Sequence, residues 1–268
     1  MPPDSSPRLQ YNAVICRYNE IATKGRNRVQ FETLLVAGIR RVLSELGRIR
    51  VLRERGRIFL LPPRGRLFFS PEDGDVLRTR MPNVMGLASA SPGFLVPPEL
   101  APIEAVITQT FPEVCRMVSQ RIAEPQSIRY RMRARRDNKS FPLTSTQLEV
   151  YFAELLLPQF PRLRVDLQAA DLSVQIEVRK QRAFVSYEHI AGPGGLPSGV
   201  SGHVLALLSG GIDSPVACYQ LLKRGCTLDF VTFHSSPYTP PELIAKVARL
   251  VRLLNRFQDG GRLVVVNL

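Results

Sequence analysis

The stretch "HVLALLSGGIDSPVACYQLL", residues 203–222, constrains the fold more than any other part of this chain. An apolar run at 204–208 meets a Ser/Gly loop and then a segment of helical periodicity. The alternation continues through helix 214–224, strand 227–233, helix 241–257 and strand 262–266. Strands separated by helices in strict turn predict a parallel sheet joined by crossovers. In such sheets ligands collect at the carboxyl ends of the strands. There the first N–H groups of the next helix lack partners and favour anions. Gly210 and Gly211 are expected to turn the backbone sharply and bring it close to an oxyanion. Ser209 and Ser214 add hydroxyl donors, and Pro215 suits a first helical turn. Asp213 is the odd residue, because a carboxylate beside phosphate calls for Mg²⁺ or a hydrogen-bond network. The loop is neither GxxxxGK[ST] nor GxGxxG. A Ser/Gly helix cap without ligand is the alternative, but the full S-G-G-I-D-S between strand and helix favours a nucleotide.

Upstream, strand 13–18 leads through "NEIATKGRN" into helix 29–46, which places Phe31, Leu35, Ile39 and Val42 on one face. Strands 50–54 and 57–61, helix 73–81 and strand 87–96 complete a β-α-β-β-α-β order, the ferredoxin-like arrangement. "PPELAP" is expected to interrupt regular structure at 97–102. Helix 103–119, strand 127–134, a helix at 144–157 capped near Ser145, and strands 164–167, 172–179 and 183–187 form an α+β unit. "GPGGLPSGVSG" (192–202) reads as a linker or a lid-like loop. The class is α+β followed by α/β. Expected domains are 1–80, 81–191, a linker at 192–202, and 203–268. The last holds only three strands, so it is expected to be incomplete, with an exposed edge and apolar faces.

Charge narrows the partner. The chain carries +13 at pH 7, and its 36 basic residues are 31 Arg and 5 Lys. More than half of the excess falls in residues 1–80, and an excess of this size suits a polyanion, nucleic acid first. A solvated surface rich in Arg is the bland alternative. "RIRVLRERGRIFLLPPRGR" and "RYRMRARRDNKSF" alternate Arg with apolar residues, which predicts cationic rows on strand faces. The four cysteines form no CxxC pair, and the three histidines have no metal-ligand spacing. Cys16 and Cys218 are expected as small buried hydrophobes. No apolar run approaches a membrane span, and the first residues have no apolar core of a secretory signal. A soluble, cytoplasmic protein is the expectation.

"SGGIDS" matches the SGGxDS signature of the PP-loop ATP pyrophosphatases. With "FHSSPYT" and "GPGGLPSG" it resembles the tRNA 4-thiouridine synthetase (tRNA sulfurtransferase) family. "EIATKGRNRVQFE" is similar to that family's E-I-x-L-K-G-x-N-R-x-x-F-E, with Thr23 in place of leucine; Pro240 stands where serine follows "PYT". "RARRDNKSFPLTSTQLE" and "DLQAADLSVQIEVRKQRAFVS" resemble its THUMP domain. The resemblance implies an enzyme that adenylates uridine 8 of tRNA with ATP and Mg²⁺, releases pyrophosphate, and receives persulfide sulfur from a cysteine desulfurase. It also implies a possible link to thiamine thiazole synthesis and admits a homodimer. Ser209, Gly210, Gly211, Asp213 and Ser214 would surround the phosphates, with Asp213 catalytic. Leu207, Leu208, Thr232 and Phe233 would line the adenosine pocket. Lys24, Arg26, Arg28, Arg131, Arg133, Arg135, Arg136 and Lys139 are the candidate tRNA contacts. None of the four cysteines matches the sulfur carrier, and the chain is expected to be a truncated form of such an enzyme. The alternatives are a tRNA-binding module without turnover, or another PP-loop tRNA thiolase.

Overall fold

The computed structural model describes residues 9–23, 27–54, 56–122, 127–235, 238, 240 and 242–268. Internal contacts divide the chain into two compact units. One comprises residues up to Ile15, Leu60–Gly74 and Ser91–His189, and the other Cys16–Phe59, Asp75–Ala90 and Ile190–Leu268.

The amino-terminal elements are β1 (Ala13–Arg17), α1 (Arg28–Val42), β2 (Arg50–Glu54), β3 (Arg57–Leu61), α2 (Pro71–Arg80) and β4 (Ser89–Val96), in the expected β-α-β-β-α-β order. These strands pair in the order β2-β3-β1-β4, as a ferredoxin-like sheet requires. Leu35 and Ile39 of α1 are fully buried one turn apart. β2 and β3 depart from a regular cationic row. β3 buries Ile58, Phe59 and Leu60 consecutively, while Arg57 is half-buried, so both faces of this strand are covered.

The α+β unit follows as α3 (Leu100–Ser119), β5 (Ile128–Arg136), α4 (Ser145–Leu156), β6 (Leu163–Val165), β7 (Leu172–Val178) and β8 (Ala183–Ser186). β5 pairs parallel with both β6 and β7, and β7 pairs antiparallel with β8. α3 begins three residues before the expected start and takes in Pro102. In a first turn the N–H that proline lacks has no intrahelical partner, so the ring costs no hydrogen bond there. α4 is capped by Thr144, not Ser145. Thr144 Oγ1 accepts from the Gln147 N–H at 3.2 Å, and Gln147 Oε1 accepts from the Thr144 N–H at 2.9 Å. α3 and α4 bury Ile107, Phe111, Leu148 and Phe152 against Tyr130, Met132, Val174 and Ile176 of the sheet. Each fully buried side chain of this size contributes roughly 1.5–3 kcal/mol.

Segment 190–202 includes β9 (Ile190–Ala191), which pairs with β4. Its backbone is bonded to its neighbours along much of its length. Gly192 and Gly194 donate to the carbonyls of Ala88 and Leu87, Leu196 to Lys223, and Gly199 and Ser201 to Gly225. At Gly195, φ is +74° and a Cβ would lie 2.1 Å from the Lys223 carbonyl oxygen, so only glycine fits.

The last elements are β10 (His203–Leu207), α5 (Asp213–Lys223), β11 (Thr227–His234), α6 (Glu242–Leu254) and β12 (Leu263–Asn267). They form a parallel sheet in the order β10-β11-β12. Cys218 and Leu222 of α5 and Val247 and Val251 of α6 pack with Ala206, Leu228 and Phe230. Both helices therefore cover one face. On the other face Leu205, Leu207 and Val264 are at least half exposed. No helix among the described residues is long and apolar enough to cross a membrane.

Candidate functional site

The Ser/Gly loop joins the carboxyl end of β10 to the amino end of α5, as the strand–loop–helix pattern requires. α5 starts at Asp213, and Ile212 at its N-cap provides no side-chain cap bond. Ser214 does not cap the helix either. Its Oγ accepts from the Ser209 N–H at 3.0 Å and lies 2.9 Å from Ser209 Oγ, while Ser209 Oγ accepts from the Gly211 N–H at 3.4 Å. The two hydroxyls thus tie the loop into a closed ring ahead of an uncapped helix end. Ser209, Gly211, Ile212 and Asp213 are exposed around it. Such a terminus carries partial positive charge and free donors.

Neither Gly210 nor Gly211 adopts the left-handed conformation. A Cβ at Gly210 would lie 2.7 Å from Leu243 Cδ1 of α6, the end of a side chain that can shift aside. At Gly211 a Cβ would meet only Ser209 Oγ, at 3.5 Å, so that glycine leaves open space over the loop. The same packing reveals a cation that sequence reasoning missed. The Lys246 stem passes within 3.5 Å of the Gly210 Cβ position, which brings an exposed ammonium group's chain beside the loop. Lys246 lies in α6, and no local spacing links it to the motif.

The expected adenosine contacts divide between the two faces of the sheet. Leu207 and Phe233 are 60% and 45% exposed on the open face. Leu208 and Thr232 are buried, so their side chains do not share a pocket with the other pair. The Leu208 N–H donates to the Val231 carbonyl at 2.9 Å.

The candidate RNA contacts divide as well. On β5 the residues Tyr130 and Met132 point into the core, so Arg129, Arg131, Arg133 and Arg135 share the opposite face. Arg129 is held by Asp171, whose carboxyl the guanidinium keeps below the usual carboxylate range. Arg131 Nε donates to Ser173 Oγ at 3.0 Å. Arg133 and Lys139 are exposed, and Arg135 reaches Asp137 only at 3.9 Å. Arg136 belongs to the other face. Its NH1 donates to the Phe141 and Leu143 carbonyls at 2.9 and 3.3 Å, which fixes the turn before α4. Arg28 is half-buried at the start of α1; Lys24 and Arg26 lie outside the described residues.

Burial pushes the thiols of Cys16 and Cys115 up to about 12 and raises that of Cys218. All three stay protonated at neutral pH, which suits packing and not nucleophilic attack.

Three family models match in chain order: a ThiI ferredoxin-like domain over residues 13–91, a THUMP domain over 109–188, and Thiamine biosynthesis protein (ThiI) over 199–268. The chain is 37% identical over 258 residues to a probable tRNA sulfurtransferase of Brevibacillus brevis, covering 96% of this chain and 61% of that one. It is likewise 37% identical over 253 residues to a probable tRNA sulfurtransferase of Nocardia farcinica, covering 94% and 58%. The chain therefore spans about three fifths of the length of the curated relatives it matches. Among solved structures, a 4-thiouridine synthetase–RNA complex with bound ATP superposes with a TM-score of 0.73 at 30% identity, over 97% of this chain and 62% of the other. PH1313 of Pyrococcus horikoshii gives 0.74 at 27%, over 97% and 80%.

Proposed function

This chain belongs to the ThiI family, three domains in order, and from that premise we propose that it carries the ATP-activating loop and the RNA-gripping surface of a tRNA sulfurtransferase. The reaction is adenylation of uridine 8 followed by sulfur transfer to give 4-thiouridine. The uracil oxygen is a poor leaving group, and attaching AMP makes it a good one. The observation that carries the reading is the hydroxyl-tied loop at Ser209–Ser214 ahead of the uncapped α5. Its free N–H groups suit a triphosphate and then the departing pyrophosphate, whose charge the helix end stabilises.

The residues fit Mg²⁺ in the way usual for nucleotide sites, with one carboxylate supplemented by substrate phosphates. Asp213 is the carboxylate at the loop, exposed and close to the helix end. Bound there, Mg²⁺ would neutralise charge on the leaving pyrophosphate. Lys246 would offset phosphate charge from α6. Adenosine would rest at the carboxyl ends of β10 and β11, where Leu207 and Phe233 are exposed. The RNA surface is the β5 face, with Arg133 and Arg135 as its readiest phosphate partners, and shape and backbone are the features it would read. We place the domain divisions at 1–80, 81–191, 192–202 and 203–268, and assign the protein to the cytoplasm with a cysteine desulfurase as sulfur donor. A role in thiamine synthesis and a homodimeric assembly belong to the same proposal.

The test uses the whole gene product containing this chain. Asp213→Ala is expected to abolish ATP- and tRNA-dependent pyrophosphate release while tRNA affinity is retained. Undiminished release in that variant would remove the assignment of the loop.

A further inference from the structure

We propose that a cleft on the second unit, between the ends of α1 and α2 and the loop after α6, binds a phosphate-bearing anion at a site separate from the Ser/Gly loop. The cleft has a volume of about 360 Å³, and its lining includes Arg41, Arg80, Arg256, Glu45, Asn83 and Asn255. Three guanidinium groups therefore face one carboxylate. Glu45 is already committed to Arg80, whose Nε donates to Glu45 Oε1 at 2.9 Å. Arg41 donates to the Arg256 carbonyl at 3.3 Å, which leaves its charge without a carboxylate at hydrogen-bond distance among the described residues. Asp259 acts on Arg41 only through space, from an adjoining cavity, and burial works against the charged form of this arginine. The Arg256 guanidinium is exposed and makes no hydrogen bond or ion pair with another described residue.

The scaffold around these cations is fixed. Asn255 Nδ2 donates to the Gly261 carbonyl at 2.8 Å, and Asn255 Oδ1 accepts from the Gly261 N–H at 3.0 Å and from Gln258 Nε2 at 2.8 Å. Gln258 in turn exchanges two bonds with the backbone of Leu228, and it is buried. The turn that presents Arg256 is thus bound to β11, so little ordering is needed on binding. A partly desolvated cation whose hydrogen-bond partner among the described residues is a carbonyl gains most from an anion, and guanidinium forks match phosphate oxygens. The site does not depend on the assignment of the Ser/Gly loop. Its ligand is either a free phosphate species or a phosphodiester of an RNA backbone, and one experiment distinguishes them.

The chain is labelled with ¹⁵N, and the Nε–H resonances of Arg41, Arg80 and Arg256 are followed while pyrophosphate is added. This readout is local, so binding at the Ser/Gly loop does not mimic it. The expected result is a saturable shift of these resonances. Arg256→Glu should raise the midpoint at least tenfold, and Glu45→Gln should lower it at least twofold. Arg252→Glu, exposed on α6 and outside the cleft, should leave it unchanged. A short RNA duplex titrated in the same way assigns the source. If the ligand is an RNA backbone, the same resonances shift, and Arg256→Glu lowers the salt slope of binding by about one. Shifts with pyrophosphate alone assign a small anion. Absence of a saturable shift with either probe overturns the proposal, as do midpoints indifferent to both Arg256→Glu and Glu45→Gln. Because Arg256 is exposed and Glu45→Gln preserves shape, the amide spectra of both variants should report an intact fold.

Discussion

The β6–β5–β7–β8 end of the nine-stranded sheet and the separate β10–β11–β12 sheet each carry two helices on one face, but they treat the other face differently. β5 presents Arg129, Arg131, Arg133 and Arg135 away from its helices. The parallel sheet presents Leu205, Leu207, Val231 and Val264 instead. Alternating charged and apolar residues mark a strand with one wet face, whereas consecutive apolar residues mark the two-sided burial usual for parallel strands. Exposed apolar side chains on a parallel sheet are therefore surface that such sheets ordinarily cover, while exposed Arg133 and Arg135 on β5 are at home in water and placed to meet phosphate.

The sharpest way to break that comparison is to place a carboxylate on each kind of face. Val174 is fully buried beneath α3 and α4, and Leu205 is 63% exposed. An unpaired charge in the first site should destabilise the chain by about 4 kcal/mol or more, and one in the second by less than about 1 kcal/mol. Urea denaturation of Val174→Asp and Leu205→Asp measures both. Equal losses would mean that the parallel sheet's open face is buried after all.

The arginines provide the next contrast, since two of them in one strand ought to fail in different ways. Arg136→Ala removes the donor that holds the Phe141 and Leu143 carbonyls and should cost about 1–3 kcal/mol of stability. Arg133→Ala should leave stability within about 0.5 kcal/mol, weaken RNA binding, and reduce its salt slope by about one. Thermal melts and filter binding at several salt concentrations separate the two outcomes. An Arg136→Ala variant that loses RNA affinity at unchanged stability would return Arg136 to the binding surface.

Helix ends differ in the same spirit. α4 has a reciprocal capping box at Thr144 and Gln147, whereas α5 begins behind Ile212 with no side-chain cap. Thr144→Ala should cost about 1 kcal/mol in a denaturation experiment. A negligible loss would indicate that the capping box contributes nothing beyond solvent.

Much of this was legible in the sequence where one period dominated. The ferredoxin-like order, the crossover pattern of 203–267 and the alternation in 128–135 all emerge as read. The rest depends on tertiary contacts that local spacing does not encode. Arg136 looked like one more member of a basic run, but the strand's alternation turns it to the side where the turn's carbonyls wait. Gly210, expected to bring the backbone close to an oxyanion, also lies against Leu243, which is 33 positions away in sequence. Segment 192–202 reads as linker from its glycines, yet several of its N–H groups are donated to Leu87, Ala88, Lys223 and Gly225. Lys246 beside the loop and Arg41, Arg80 and Arg256 around one cleft are brought together by the fold alone.

The smallest expected effect lies at the amino end of the parallel strands, where the open face does carry a charged cluster. Asp229 accepts from the Arg262 N–H at 2.7 Å and from its guanidinium at 2.9 and 3.2 Å, and His203 Nε2 lies 3.4 Å away. Backbone donation by Arg262, followed by its side chain, holds the Asp229 carboxyl down at about 2, from the usual 3.8. A carboxyl depressed in the folded state stabilises it fully above the unfolded value, and that contribution is lost as pH falls through the folded value. The loss should therefore appear between roughly pH 4 and pH 2. Because Arg262 is 84% exposed, salt should screen most of the interaction. Denaturation midpoints of the chain should fall more steeply across that window than those of Asp229→Asn, and the difference should shrink in high salt. Parallel slopes in the two proteins at low salt would show that Asp229 gains as much from water in the unfolded chain as from Arg262 in the folded one.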